Sequence, residues 1–566
     1  MAEPAAHTDD EGDTVPESVD LLLTGATLVD GTGGPARPGD VAVRDGRIVA
    51  VGPDLDVAAT ETVDLTGLVL SPGFIDPHTH YDAQVLWDRD VTPSSWHGVT
   101  TVIMGNCGFG IAPTRPEHRE IILRTLENVE GMTLSALEEG LPWTFETFPE
   151  YLDALDAAPT RLNLAALFGH TPLRFYVMGT DATERAATPE EVEQMRALLA
   201  EGIDAGAVGL SSSRTESHIG AYGKPVPSRL ADLDEIRTLA GVLGDKDKGT
   251  FESTWGPDLF VEEFAEIAKD IDRPVSWAAL MTVKENPAYT DDVVARVAAA
   301  GGPVHPQVSC RPIMIQLQLS DPAPFANVPA FEEILGLERA DRPALYADAA
   351  WRDRAWEGMQ ARWGNKLLDV TVAETSVHHE LVDGPTLGEM AAEGDGNPVS
   401  VMADLALAED LQTRFRMIMV NDDDDQIATL LQNPTFLLGL SDAGAHTSQL
   451  CDANFSTHLL AEFHRARGDL TLEQAVWRLT GQPAEVYGLA DRGRIAEGRA
   501  ADLVAFDPAT VGTGPSERVT DFPGGADRLV AHSTGIEHVW VNGTAIRRDG
   551  RDLDGVRPGG LLRDFA

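Results

Sequence analysis

The sequence predicts an α/β fold: a (β/α)8 TIM barrel with a composite β-sandwich built from both chain ends and a helical insertion near the barrel mouth. Three observations lead there. Eight apolar, strand-like runs, most followed by an amphipathic helical pattern, fill the middle of the 566-residue chain. Short β-type runs split by Asp-Gly and Gly-Gly joints occupy residues 18–71, and the same texture returns near the C-terminus. The stretch 310–400 is too long to be a plain connection between a strand and its helix. An open doubly wound sheet is the alternative architecture.

Residues 1–17, "MAEPAAHTDDEGDTVPE", are acidic and lack the apolar core of a signal peptide, so they read as a disordered tail. Residues 18–71 and 490–552 are assigned to the sandwich. Residues 72–309 and 401–489 are assigned to the barrel, whose strand-like runs are 73–78, 100–107, 162–169, 207–212, 249–253, 274–280, 303–309 and 436–442. Between the third and fourth runs, "TPEEVEQMRALLAEGIDAGA" is a clear helix. Thr188 stands as its N-cap, Pro189 at the first helical position and Glu191 three residues after the cap, closing a capping box. Residues 310–400 form the insertion.

Composition narrows the partners. With 43% hydrophobic and 24% charged residues the chain is ordinary for a globular protein, but 43 basic against 91 acidic residues leave a net charge of −48. Such a surface repels nucleic-acid phosphates and anionic membranes. No apolar run approaches the ~18 residues of a membrane span. Three widely spaced cysteines, Cys107, Cys310 and Cys451, make no disulfide framework. The expectation is a cytoplasmic protein acting on a small molecule, with a homo-oligomer compatible with the sequence. Only six of the basic residues are lysine, which suits either a salty cytoplasm or an arginine-preferring genome.

The chemistry is concentrated first in "GFIDPHTHYD", residues 73–82. Residues i and i+2 of a strand share a face, so His78 and His80 project together, and neutral imidazole is the commonest metal ligand. Barrels gather their sites at the C-terminal ends of the strands. There Cys107 closes run two, His170 follows run three and Asp442 closes run eight, beside run one in a closed ring. Imidazole, carboxylate and thiolate suit zinc. Asp442 could take a proton from an attacking water and pass it to a leaving nitrogen, and His170 could hydrogen-bond the scissile carbonyl or support the metal from behind its ligands. The bland alternatives are backbone-bonded strand-end histidines, a turn aspartate, a buried small cysteine and a structural histidine. Arg214 and Arg311 follow runs four and seven, and either could grip a substrate carboxylate or merely bridge loops. His218 and His446 are expected at the same mouth as substrate contacts or extra ligands. Asp76 and Asp82 are expected to orient the two histidines or to cap loops. His305 is expected lower on run seven, and His97, His118, His378 and His379 at the surface.

Together, "SPGFIDPHTHYD", "GVTTVIMGNCGFGIAP", "WTFETFPEYLDALD", "GHTPLRFYVMG", "AGAVGLSSSRT" and "GLSDAGAH" resemble the metal-dependent amidohydrolase superfamily, specifically its D-aminoacylase (N-acyl-D-amino-acid deacylase) branch, over nearly the whole chain. The resemblance implies a zinc-dependent hydrolase of C–N bonds, with the cysteine of "GNCG", Cys107, as a metal ligand. It also implies histidines at the ends of strands five and six. Here those strands read "TFESTWG" and "VSWAALMT". Glu252 therefore stands as a substitute carboxylate ligand or a substrate contact, and run six offers only Ser276. No "HPR"-like arginine element follows Asp442. One zinc ion is the leading expectation and two the alternative. The function expected is metal-dependent hydrolysis of an amide bond in a small substrate, an N-acyl-D-amino acid or related N-acyl compound, with Asp442 as general base and acid. A cyclic amide or imide hydrolase or a deaminase on the same scaffold is the alternative, and a non-catalytic amidohydrolase-like binding protein a further one.

Overall fold

Eight strands run parallel in one sheet, each paired with the next in chain order: β1 (Phe74–Thr79), β2 (Val99–Met104), β3 (Asn163–Gly169), β4 (Gly209–Ser212), β5 (Thr250–Thr254), β6 (Val275–Ala278), β7 (Val304–Val308) and β8 (Leu437–Leu438). The computed structural model describes residues 18–320, 322, 325–394 and 396–565. The acidic tail expected at residues 1–17 lies outside the described residues. The ring closes where a parallel bridge joins Thr79 to Ala443 and the His80 amide donates to the Ala443 carbonyl at 2.7 Å. The barrel reading thus holds over the open-sheet alternative. Strands β1–β3 are buried at every position, as a sheet covered on both faces requires.

Helices wrap the ring between strands. The helix Pro189–Ala205 carries the capping box as read: Thr188 Oγ1 accepts from the Glu191 amide at 3.3 Å, and Glu191 Oε2 accepts from the Thr188 amide at 2.7 Å. Replacing Thr188 by Ala leaves an amide of the first turn without a partner and should cost about 1 kcal/mol. A urea titration of the two proteins measures this, and coincident midpoints would discount the cap.

The two chain ends meet in one nine-stranded sheet. Its seam is the antiparallel pairing of Val69–Pro72 with Leu503–Phe506, and Leu23, Val41, Ile48, Leu70, Leu503 and Trp540 lie buried in one core. The hairpin joints behave as their residues dictate. Asp45 and Gly46 both have positive φ (51° and 73°), the signature of a type I′ turn, and Asn542 and Gly543 repeat it (48° and 77°).

The insertion holds more than helices. Strands Ile313–Gln318, Arg414–Val420 and Thr371–Glu374 form an antiparallel sheet in that order, packed with helices such as Ala349–Trp363 and Pro398–Leu407 around a separate core that includes Phe331, Trp351 and Phe415. Because Arg414–Val420 is the central strand, the inserted chain returns to the barrel after Val420 and not at 400. Asn421, fully buried, staples both feet: its Nδ2 donates to the carbonyls of Ser309 and Arg311, at 3.0 and 2.7 Å. No helix among the described residues is long and apolar enough to cross a membrane.

Candidate metal centre

His78 lies on β1 and His80 immediately beyond it, and both rings turn toward the barrel mouth. Asp442 Oδ1 stands 3.2 Å from His78 Nε2 and 3.8 Å from His80 Nε2. Cys107 Sγ is 3.4 Å from the same His78 nitrogen. One ligand atom from each of His78, His80 and Cys107 falls within 4.8 Å of the others. Asp442 is the most open of the group, its side chain 31% exposed against 1% and 4% for the two imidazoles.

Local backbone explains these placements. The eighth strand-like run, read to 442, keeps its ladder only over Leu437–Leu438, because the chain then turns through positive φ at Leu440 (60°) and Asp442 (46°). Aspartate tolerates that conformation better than most residues. Gly444 follows with φ 96°, and a Cβ there would lie 2.6 Å from the His80 carbonyl oxygen. Glycine thus lets the strand-eight loop press against the histidine segment. Cys107 lies past the end of β2, in the one-turn helix Asn106–Gly108 with φ 56°. Its amide donates to Glu252 Oε2 at 2.8 Å.

The electrostatics fit a cation. Burial holds both imidazoles below their ordinary pKa, keeping them neutral and ligand-competent. The same burial pushes the Cys107 thiol up and raises Glu252 to about 8. Glu252 Oε1 is buried without a hydrogen-bond partner, as is Asp76 Oδ2. Two imidazoles, a thiol and carboxylates sealed from solvent match the donors zinc prefers, and a divalent charge would offset the cost of ionising the acids.

The other residues singled out from the sequence divide. His218 and His446 are close enough to His80 for each to disfavour its protonation. His218 is bonded through Nδ1 to Ser213 Oγ at 2.7 Å and held near pKa 3 by burial. Asp76 and Asp82 serve the backbone and not the imidazole rings: Asp76 Oδ1 accepts from the His78 amide at 3.3 Å, and Asp82 Oδ2 from the Gly105 amide at 2.9 Å. His170 is not offered to a substrate, since its Nδ1 meets Ser212 Oγ and its Nε2 meets Glu235 Oε1, both at 2.9 Å. Arg214 is spent on loop bridging. It pairs with Asp258 and donates to the carbonyls of Ser228, Arg229 and Ala231. His97, read as a surface residue, is fully buried beneath the C-terminal segment, bonded to Thr457 Oγ1 and the Ala531 carbonyl, each at 2.8 Å.

Arg311 differs from Arg214. Only its Nε is engaged, by Asp452 Oδ1 at 2.9 Å, and among the described residues its two Nη groups have no hydrogen-bond partner. It lines a cavity of about 280 Å³ under the inserted sheet. Leu450, Cys451, Asp452 and Leu529 line both that cavity and a smaller one reaching Asp442.

Two residues at the site escaped the sequence reading. Gln307 Oε1 lies 2.6 Å from His78 Nδ1, and Glu130 Oε1 lies 3.6 Å from His80 Nδ1. Both had a signal. Gln307 is a lone amide inside the buried strand β7. Glu130 ends the helix Arg119–Glu130, where the helix dipole opposes a negative charge and a carboxylate needs another reason to be there.

The model of the amidohydrolase family matches residues 61–331 and 344–546. D-aminoacylase of Alcaligenes xylosoxydans xylosoxydans is 31% identical, across 93% of this chain and 94% of its own. N-acyl-D-aspartate deacylase of the same organism is 30% identical, across 97% and 96%. The crystal structure of N-acyl-D-glutamate deacylase from Bordetella bronchiseptica, complexed with zinc and a phosphonate mimic of the tetrahedral intermediate, superposes with a TM-score of 0.66 at 27% identity, covering 97% of this chain and 100% of that one.

Proposed function

The chain belongs to the amidohydrolase family, and from that membership we propose that it hydrolyses the amide bond of N-acyl-D-amino acids at a zinc site formed by His78, His80, Cys107 and Asp442. The observation that carries this reading is the convergence of Asp442 Oδ1 on the Nε2 atoms of both histidines. Bound zinc supplies Lewis acidity, polarising the amide carbonyl and making water acidic enough to attack near neutral pH.

The rest is the work of the protein. Asp442 turns Oδ1 to the imidazoles, which leaves Oδ2 to take the proton of the attacking water. The same oxygen returns that proton to the nitrogen as the C–N bond breaks, yielding a carboxylate and a D-amino acid. Arg311 is oriented by Asp452 through Nε, so its two Nη groups can hold the substrate α-carboxylate in the adjoining cavity. The relatives named for D-amino acid derivatives support this substrate class. Their zinc-bearing counterpart supports the metal, with one ion favoured here because strands five and six offer Glu252 and Ser276 where histidines would hold a second.

The direct test is release of D-amino acids from a panel of N-acetyl-D- and N-acetyl-L-amino acids, cyclic imides and aminated heterocycles. Turnover confined to the D series is expected, and turnover of the cyclic imides alone overturns the reading. Arg311→Lys keeps the charge but loses the fork, and should raise KM for N-acetyl-D-amino acids roughly 10- to 100-fold with kcat little changed. Steady-state kinetics on the acid and on its carboxamide analogue check this. The analogue should be indifferent to the substitution, and equal sensitivity of both substrates would remove Arg311 from carboxylate recognition.

A further inference from the structure

His78 makes a hydrogen bond on the side of its ring facing away from Asp442, and the direction of that bond follows from groups deeper in the barrel. The carbonyl of His305 can only accept. Ser276 Oγ lies 3.1 Å from it, so the hydroxyl proton points to that oxygen. The serine oxygen is then an acceptor, and the group 3.0 Å away is Gln307 Nε2. With its NH2 committed there, the amide presents Oε1 to His78 Nδ1 at 2.6 Å. Contact at that distance requires the proton on Nδ1. The lone pair therefore sits on Nε2, which faces Asp442 Oδ1 and Cys107 Sγ at 3.2 and 3.4 Å. Ser276 and Gln307 are fully buried and His78 is 1% exposed, so solvent does not compete for these bonds. Gly439 supports the arrangement: a Cβ there would stand 3.2 Å from Gln307 Oε1 and 3.7 Å from His78 Cβ.

We propose that Gln307 is a positioning residue, locked by Ser276, that holds His78 in the one tautomer able to ligate a cation through Nε2. The alternative arrangement makes the locking necessary. With the amide flipped, Gln307 Nε2 would donate to Nδ1, and the proton would move to Nε2, where it would block the site. The flip turns the Ser276 hydroxyl toward the amide oxygen and so costs its bond to the His305 carbonyl. A group holding the second nitrogen of a metal-binding histidine typically contributes 10- to 100-fold in metal affinity.

The inference rests on the zinc reading of His78, and its test separates the two. Zinc affinity is measured by competition with a chromophoric chelator on the full chain, with far-UV circular dichroism as the control for folding. Gln307→Leu should weaken zinc about 10- to 100-fold. Gln307→Glu, whose carboxylate can only accept from Nδ1, should retain native affinity. Ser276→Ala frees the amide to flip and should weaken zinc in the same direction as Gln307→Leu. Native zinc binding that is unchanged in both Gln307→Leu and Ser276→Ala overturns the relay alone. If the native chain binds no zinc, the metal reading falls with it. If Gln307→Leu does not fold, the contrast between Ser276→Ala and Gln307→Glu decides: equal loss in both would mark the site as structural only.

Discussion

Asp442→Asn is expected to lower kcat/KM by about 10³-fold, within the range for loss of a general acid–base group. The carboxamide keeps the shape of the side chain and one oxygen as a cation ligand, but it cannot take a proton. The loss should fall on kcat, and it should persist when zinc content, measured by elemental analysis, is restored to the native level. Asp442 is poised for this role because its side chain is 31% exposed while its partners His78 and His80 are sealed. A proton carrier must reach both the site and the substrate. A variant retaining activity within tenfold of native would transfer the role to another group, such as Glu130, which faces His80 Nδ1, or Glu252, which holds the Cys107 amide.

Removal of the metal is expected to have the larger effect. Dialysis against a strong zinc chelator should bring turnover to background, and added zinc should restore it in the native chain. His78→Ala should stay inactive after the same addition, because the imidazole nearest to Asp442 is gone. Zinc should also stabilise the fold, by about 2.7 kcal/mol when free zinc is a hundredfold above its Kd, and this gain should vanish in His78→Ala. Thermal unfolding with and without zinc reads both halves. Native activity that survives exhaustive chelation would end the zinc mechanism.

The residues that pointed to these experiments were visible in the chain because their patterns are local. A His-x-His at the end of an apolar run needs only the two-residue period of a strand to place two rings on one face. The Thr188–Glu191 box needs only one helical turn, and the Asp45–Gly46 joint only its own dihedral angles. The residues left open between a site role and a structural one were undecided because hydrogen-bond capacity is spent far away in sequence. His170 is consumed by Ser212 and Glu235, 42 and 65 positions on, and Arg214 by Asp258, 44 positions on. Neither partner is marked in the sequence as claiming it.

By itself the sequence determined the strand and helix rhythm, the joining of the two chain ends and the imidazole pair with its carboxylate. These follow from short-range periodicity and from residue types that do one thing well. Tertiary structure alone decided which polar groups remain available at the mouth: Arg311 and not Arg214, Asp442 and not His170, with Gln307 behind His78 at a separation of 229 positions. A buried donor or acceptor must be matched, and only the closed ring of strands fixes which distant group matches it.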